Sequence, residues 1–153
     1  MEGFVVATGD GPLPTEDTAA RAAEVRVAFE GLLQVRRITN TAPPDPAATP
    51  AEWERRRMPR AVALALESHG IPPSAVDADG RRTATGYRVA PSDEPGSVRV
   101  EWLGPAGSGA AADEEARLSG CAEVLERLGW EALLYRGPRR RRFLLVSALP
   151  AAR

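Results

Sequence analysis

Arginine is the residue type whose number and placement carry chemistry in this 153-residue chain. Arg139, Arg140, Arg141 and Arg142 form an unbroken run after Gly137-Pro138. Arg55, Arg56 and Arg57 form a second cluster beside Trp53 and Met58, with Arg60 close behind. A guanidinium is planar, permanently charged, able to contact phosphate through two parallel hydrogen bonds and able to stack on bases. If the two clusters share a face, they would make a surface for DNA or RNA. An ordinary explanation competes. All 20 basic residues are arginine, and Ala, Gly, Pro and Arg supply about half of the chain. That is the signature of a G/C-rich, bacterial genome. On that view Arg55 to Arg57 pair with Glu52 and Glu54, and the 139–142 run is a solvated turn that resists aggregation.

Other candidate chemistry is thinner. Gly104-Pro105-Ala106-Gly107-Ser108-Gly109 stands where a strand should hand over to a helix, the position of phosphate-cradling loops. It lacks the spacing of a dinucleotide fingerprint. With no lysine in the chain, a P-loop and Schiff-base catalysis are both excluded. Cys121 falls on the apolar stripe of a helix, where cysteine behaves as a small hydrophobe. His69, the only histidine, precedes Gly70 at a helix end, where it serves as a cap. One cysteine and one histidine rule out a four-ligand Cys/His zinc site and an internal disulfide. Asp77-Ala78-Asp79-Gly80 has the opening of a calcium loop, but the twelfth position is Arg88 rather than glutamate. No pair of residues marks a general acid and base, and no cofactor is expected.

These residues need elements to position them. Met1 to Pro14 reads as a turn-rich, flexible lead-in with a short strand at Phe4-Val5-Val6. It lacks the basic region of a signal peptide, and no apolar run is long enough to span a membrane, so a cytoplasmic protein is expected. Thr15 to Ile38 is a helix, capped by Thr15 or Asp17, with Glu16 and Asp17 in its first turn. Its apolar stripe is Ala22, Val25, Phe29, Leu32 and Leu33. Residues 41–50 hold four prolines and read as an irregular linker. Thr49-Pro50-Ala51-Glu52 predicts a capped helix start, Pro59 breaks the helix, and the segment from Arg60 to Ser68 ends at Gly70.

From Arg82 the period becomes two. A strand through Val89, a turn over 91–96 and a strand at Val98 to Trp102 make a hairpin. The stretch from Ala111 to Leu128 is a helix with Leu118, Cys121, Ala122, Leu125 and Leu128 on one face. Glu131 to Arg136 and Phe143 to Leu149 close the chain as two strands. The run Phe143-Leu144-Leu145-Val146 suits a strand covered on both faces. The expected fold is therefore α+β. N-terminal helices (15–70) precede a four-stranded antiparallel sheet in ββαββ order (81–150), with one packed helix. The N-terminal helices are expected to cover part of the other face, giving a single domain over 15–153. Three helices followed by a hairpin also have the element order of a winged helix, but Ser92-Asp93-Glu94 would turn acid toward phosphate.

The functional expectation is a non-enzymatic binding module with DNA or RNA as ligand and Arg139 to Arg142 foremost, Arg55 to Arg57 second. The alternative is a protein-interaction module, including a homodimer, using an uncovered sheet face or the Trp53 helix. A small coenzyme- or nucleotide-binding enzyme using the 104–109 turn is third.

Overall fold

The computed structural model describes residues 4–15, 17–41 and 44–148. The order is α1 (Thr18–Thr39), α2 (Glu52–Arg56), α3 (Met58–Ser68), β1 (Ala75–Val76), β2 (Arg82–Ala84), β3 (Gly86–Pro91), β4 (Ser97–Leu103), α4 (Ala110–Arg127), β5 (Trp130–Arg136) and β6 (Arg142–Ala148). Strands β3 to β6 form one antiparallel sheet in the spatial order β3-β4-β6-β5, and β1 and β2 form a separate two-stranded sheet. The alternation in the sequence predicts this α+β fold and the four-stranded sheet.

Capping chemistry sets the helix ends. The Asp17 carboxylate accepts the Ala20 N–H at 2.8 Å, so α1 starts three residues later than Thr15; Glu16 lies outside the described residues. Between α2 and α3, Arg57 leaves the helical region (φ −134°, ψ 50°), and Pro59 sits where a missing N–H costs nothing. Thr49 does not cap α2; the cap position is Ala51, whose N–H donates to the Glu54 carboxylate at 2.8 Å. Gly70 and Gly129 end α3 and α4 with positive φ. At Gly129 a side chain would strike the Ala48 carbonyl oxygen, 2.2 Å from where its Cβ would stand.

Three expectations are corrected. The strand over Arg82–Val89 is two strands, because the chain breaks at Thr85 and β2 turns away to pair with β1. Residues 44–50 are not irregular throughout: Pro46–Ala48 form a 3₁₀ turn, held by Asn40 Nδ2 donating to the Pro46 and Thr49 carbonyls. Phe4-Val5-Val6 is not a strand; the 4–15 segment bends at residues 9–11 and gives β3 one backbone bond, Val89 N–H to the Thr8 carbonyl at 2.7 Å, and β1 another, Val76 N–H to the Gly11 carbonyl at 3.0 Å.

The largest correction concerns the layers. The helices do not divide between the two faces of the sheet. Both α3 and α4 pack against it, and their buried side chains belong to one apolar cluster with Tyr87, Val89, Val98, Val100, Trp102, Trp130, Leu144 and Val146. These strand residues stand opposite one another in register (Tyr87 to Trp102, Val89 to Val100, Val100 to Leu144, Val98 to Val146), hence on one face. Helix α1 stacks on α3 as an outer layer. The Tyr87 hydroxyl, 3.1 Å from the Ala63 carbonyl oxygen of α3, ties helix to sheet, and burial pushes its pKa well up.

Candidate interaction surface

With the helices on one side, no described helix covers the opposite face of the sheet, which Asp10 of the 4–15 segment reaches only at Arg88. The alternation puts Arg88 (β3), Arg99 and Glu101 (β4), Phe143 and Leu145 (β6), and Glu131, Leu133 and Tyr135 (β5) on it. The β6 run Phe143–Val146 is thus covered on one face only. Phe143 and Leu145 are half-buried because β6 lies between β4 and β5, where neighbouring side chains shield them.

The open face has two halves. On β5 and β6, Leu133 stands opposite Leu145, and Tyr135 opposite Phe143. The Tyr135 and Phe143 rings stack with centroids 5.7 Å apart. The Arg99 guanidinium covers Phe143 at 3.7 Å, so arginine, phenylalanine and tyrosine form one row across three strands. On β3 and β4, Arg88 pairs with Glu101 at 2.8 Å and Arg99 approaches Glu101 at 3.6 Å. A groove of about 420 Å³ runs between the β3–β4 turn (Ser92, Asp93, Glu94) and Arg99, Tyr135, Phe143 and Leu145.

The two arginine clusters lie at opposite ends of α4. Arg141 Nε donates to the buried Glu114 carboxylate at 2.9 Å, near the start of α4. The Arg142 N–H donates to the same carboxylate, and Arg142 Nη2 lies 3.5 Å from Glu115. Arg139 and Arg140 are exposed at the apex of the β5–β6 turn, with φ of 60° and 61°. The Arg141 N–H to Pro138 carbonyl bond (3.2 Å) closes this turn. Two successive left-handed residues are the geometry that Asn-Gly normally fills.

The second cluster stands beyond the other end of α4. Arg56 pairs with Glu52 at 2.8 Å, as the sequence suggests. Glu54 instead faces Arg36 of α1, and Arg36 also donates to the Leu128 carbonyl at the end of α4. Glu114 and Leu128 are separated by roughly 20 Å of helix at 1.5 Å per residue. The structure therefore does not bring Arg139–Arg142 and Arg55–Arg57 onto one contiguous patch.

Arg36 is the residue that sequence reasoning missed. It stands four positions after Leu32, continuing the stripe of Val25, Phe29 and Leu32. A charge on an apolar stripe signals a buried ion pair.

The remaining candidates fill structural positions. His69 Nδ1 lies 2.8 Å from the Ala65 carbonyl oxygen and 3.0 Å from Ser68 Oγ, and its ring meets Phe29 edge-on. Cys121 is buried in the core, and burial pushes its thiol up to about 12. The 104–109 turn does lead from β4 into α4, beside Arg82 and Arg141. Both guanidiniums are engaged, Arg82 by the Gly9 carbonyl and Asp10, Arg141 by Glu114 and the Trp102 carbonyl. A Cβ at Gly104 would stand 2.5 Å from Thr85 Oγ1 and 2.6 Å from Ser108 Oγ, so those side chains would have to move. Among the described residues, no group of three or more His, Cys, Asp or Glu could hold a metal ion. No helix there is long and apolar enough to cross a membrane. The chain matches no protein-family model, no curated protein and no solved structure.

Proposed function

We propose that this chain is a non-catalytic protein-interaction module working through the open face of its sheet. The observation that carries this reading is the composition of that face. Leu133, Tyr135, Phe143 and Leu145 form a contiguous apolar half, and the other half is an ion-pair network in which Arg88 and Arg99 meet Glu101 and Arg88 also meets Asp10. An apolar centre beside paired charges fits a protein surface. It fits a polyanion poorly, because Asp93 and Glu94 line the same groove. Base stacking is also hindered, since Arg99 and Tyr135 already flank the Phe143 ring.

The test is site-specific photo-crosslinking from position 145, with exposed Arg26 of α1 as the control position. Saturable adducts to a defined polypeptide from 145 only, abolished by Phe143→Asp, are expected. Equal labelling from both positions would remove this reading.

The nucleic-acid reading keeps one specific observation in its favour: Arg139 and Arg140 are exposed at a turn apex whose base is fixed by Glu114. Fluorescence anisotropy with duplex DNA, single-stranded DNA and RNA at low and moderate salt decides it. Binding that weakens steeply with salt and is lost on Arg139→Ala/Arg140→Ala would establish it in place of the protein reading.

A further inference from the structure

The charges of the open face do not cancel. Its two guanidiniums are engaged: Arg88 meets Asp10 and Glu101 at 2.8 Å each, and Arg99 lies 3.6 Å from Glu101 and 3.7 Å from the centre of the Phe143 ring. Two positive charges thus stand against two carboxylates. Three further carboxylates, Asp93 and Glu94 of the β3–β4 turn and Glu131 of β5, have no ion pair or side-chain hydrogen bond among the described residues. They share one end of the sheet. Glu131 stands opposite Ser147, and Ser147 opposite Ser97, the first residue of β4 after that turn. The exposed Arg139 and Arg140 lie at the other end of β5 and β6. A chain of net charge −1 therefore carries a local acidic end on this face.

The groove of about 420 Å³ starts at this acidic turn and runs to Tyr135, Phe143 and Leu145. Tyr135 is 44% exposed, and no strand stands beyond it because β5 is the edge of the sheet. Carboxylates at one end and aromatic and aliphatic carbon along the rest match a cation on a long apolar stem. An arginine or lysine can lay its methylenes on the apolar part and carry its charge to Asp93 and Glu94. The Arg99 guanidinium over Phe143 shows that this row of rings accepts a cation. A purely apolar occupant would cover the two carboxylates without a counter-charge, which costs free energy, and an anionic one would be repelled. The volume is at the lower end of the roughly 300–1,000 Å³ of ligand pockets, which is room for a few side chains of one segment.

We infer that the occupant of this groove is a basic segment of a partner protein, with arginine or lysine set against Asp93 and Glu94 and a neighbouring apolar side chain on Tyr135, Phe143 and Leu145. The inference rests on the reading of the chain as a protein-interaction module and names the partner's chemistry.

Fluorescence anisotropy tests it with a labelled Gly-Ser peptide carrying the core Arg-Leu-Arg-Leu, against Glu-Leu-Glu-Leu and Arg-Ser-Arg-Ser versions of the same peptide. The first should bind wild type tightest, and added salt should weaken it. Asp93→Arg/Glu94→Arg should weaken it by about tenfold and bring binding of the Glu-Leu-Glu-Leu peptide in its place. Both are exposed turn residues, so the reversal is compatible with folding, which circular dichroism checks. Leu145→Asp should weaken the first peptide without that exchange. No binding up to millimolar peptide, equal binding of all three peptides, or binding unchanged by the charge reversal would overturn the inference. Sedimentation of the chain alone covers the other occupant: self-association lost both in Asp93→Arg/Glu94→Arg and in Arg139→Ala/Arg140→Ala would put a second copy there instead. If the peptide fails while position 145 still crosslinks to a polypeptide, and the charge reversal leaves that adduct intact, the basic chemistry is wrong and the interaction module stands. If neither occurs, both readings fall.

Discussion

Arg36 of α1 and Glu54 of α2 face each other with Nη2 2.7 Å from Oε1, each side chain about 1% exposed. Arg36 Nε donates to the other carboxylate oxygen at 2.8 Å, and Nη1 donates to the Ala47 and Leu128 carbonyls. Glu54 also accepts the Ala51 N–H. One ion pair thus joins α1, the 3₁₀ turn, α2 and the end of α4. Glu54→Ala leaves the guanidinium buried without its counter-charge and should lower unfolding free energy by about 3–5 kcal/mol. The apolar double replacement Arg36→Met/Glu54→Leu should recover much of that. Urea unfolding of the two variants measures both, and a single variant as stable as wild type would contradict the geometry.

The turn at Arg139-Arg140 holds two non-glycine residues at φ near 60°. Left-handed backbone costs an L-residue roughly 1–2 kcal/mol. Arg139→Asn/Arg140→Gly supplies the residues such a turn favours and should raise stability by roughly 1–2 kcal/mol. A drop in melting temperature would show that the arginines are not strained there.

Asp10 anchors the 4–15 segment to the sheet, with its carboxylate 2.8 Å from Arg88 Nε and 3.0 Å from Arg82 Nη2. Burial pushes its pKa up, but the Arg88 and Arg82 hydrogen bonds and charges outweigh that and hold the carboxyl below its ordinary value of 3.8. A depressed folded pKa stabilises the docked state at pH above about 4 and stops doing so as pH falls through the folded value. The 4–15 segment should therefore gain hydrogen-exchange and protease sensitivity in acid. Asp10→Asn should show that sensitivity already at neutral pH, and identical protection in wild type and variant would dismiss the anchor.

Cys121 is buried on α4, with its thiol pushed up to about 12 by burial. Disulfide reagents react with thiolate, so the folded chain should label at pH 8 only as fast as it opens, and urea should release full reactivity. Rapid stoichiometric labelling of the native chain would place the thiol outside the core.

Several elements were legible because their causes are local. Asp17 before a helical stripe, Pro59 after Arg57, Gly70, and the alternation from Val98 to Trp102 each act within a few residues. They specify α1, the α2–α3 break and the β3–β4 hairpin without reference to the rest of the chain. The arginine runs were also visible, and so was the pairing of Arg56 with Glu52, one helical turn apart.

What the sequence alone could not decide is which side of the sheet each helix takes. An apolar stripe states that a face is buried, not against which partner. Tyr87 and Ala63 are far apart in the chain, and only the folded packing sets α3 beside α4 and leaves Leu133, Tyr135, Phe143 and Leu145 open. The same holds for the two arginine clusters. Their charge is written in the sequence, but the length of α4 between Glu114 and Leu128 separates them, and Glu114 engages half of the 139–142 run. Composition and periodicity determined the elements. Long-range packing decided the exposed surface, because exposure is what remains after every other face has found its partner.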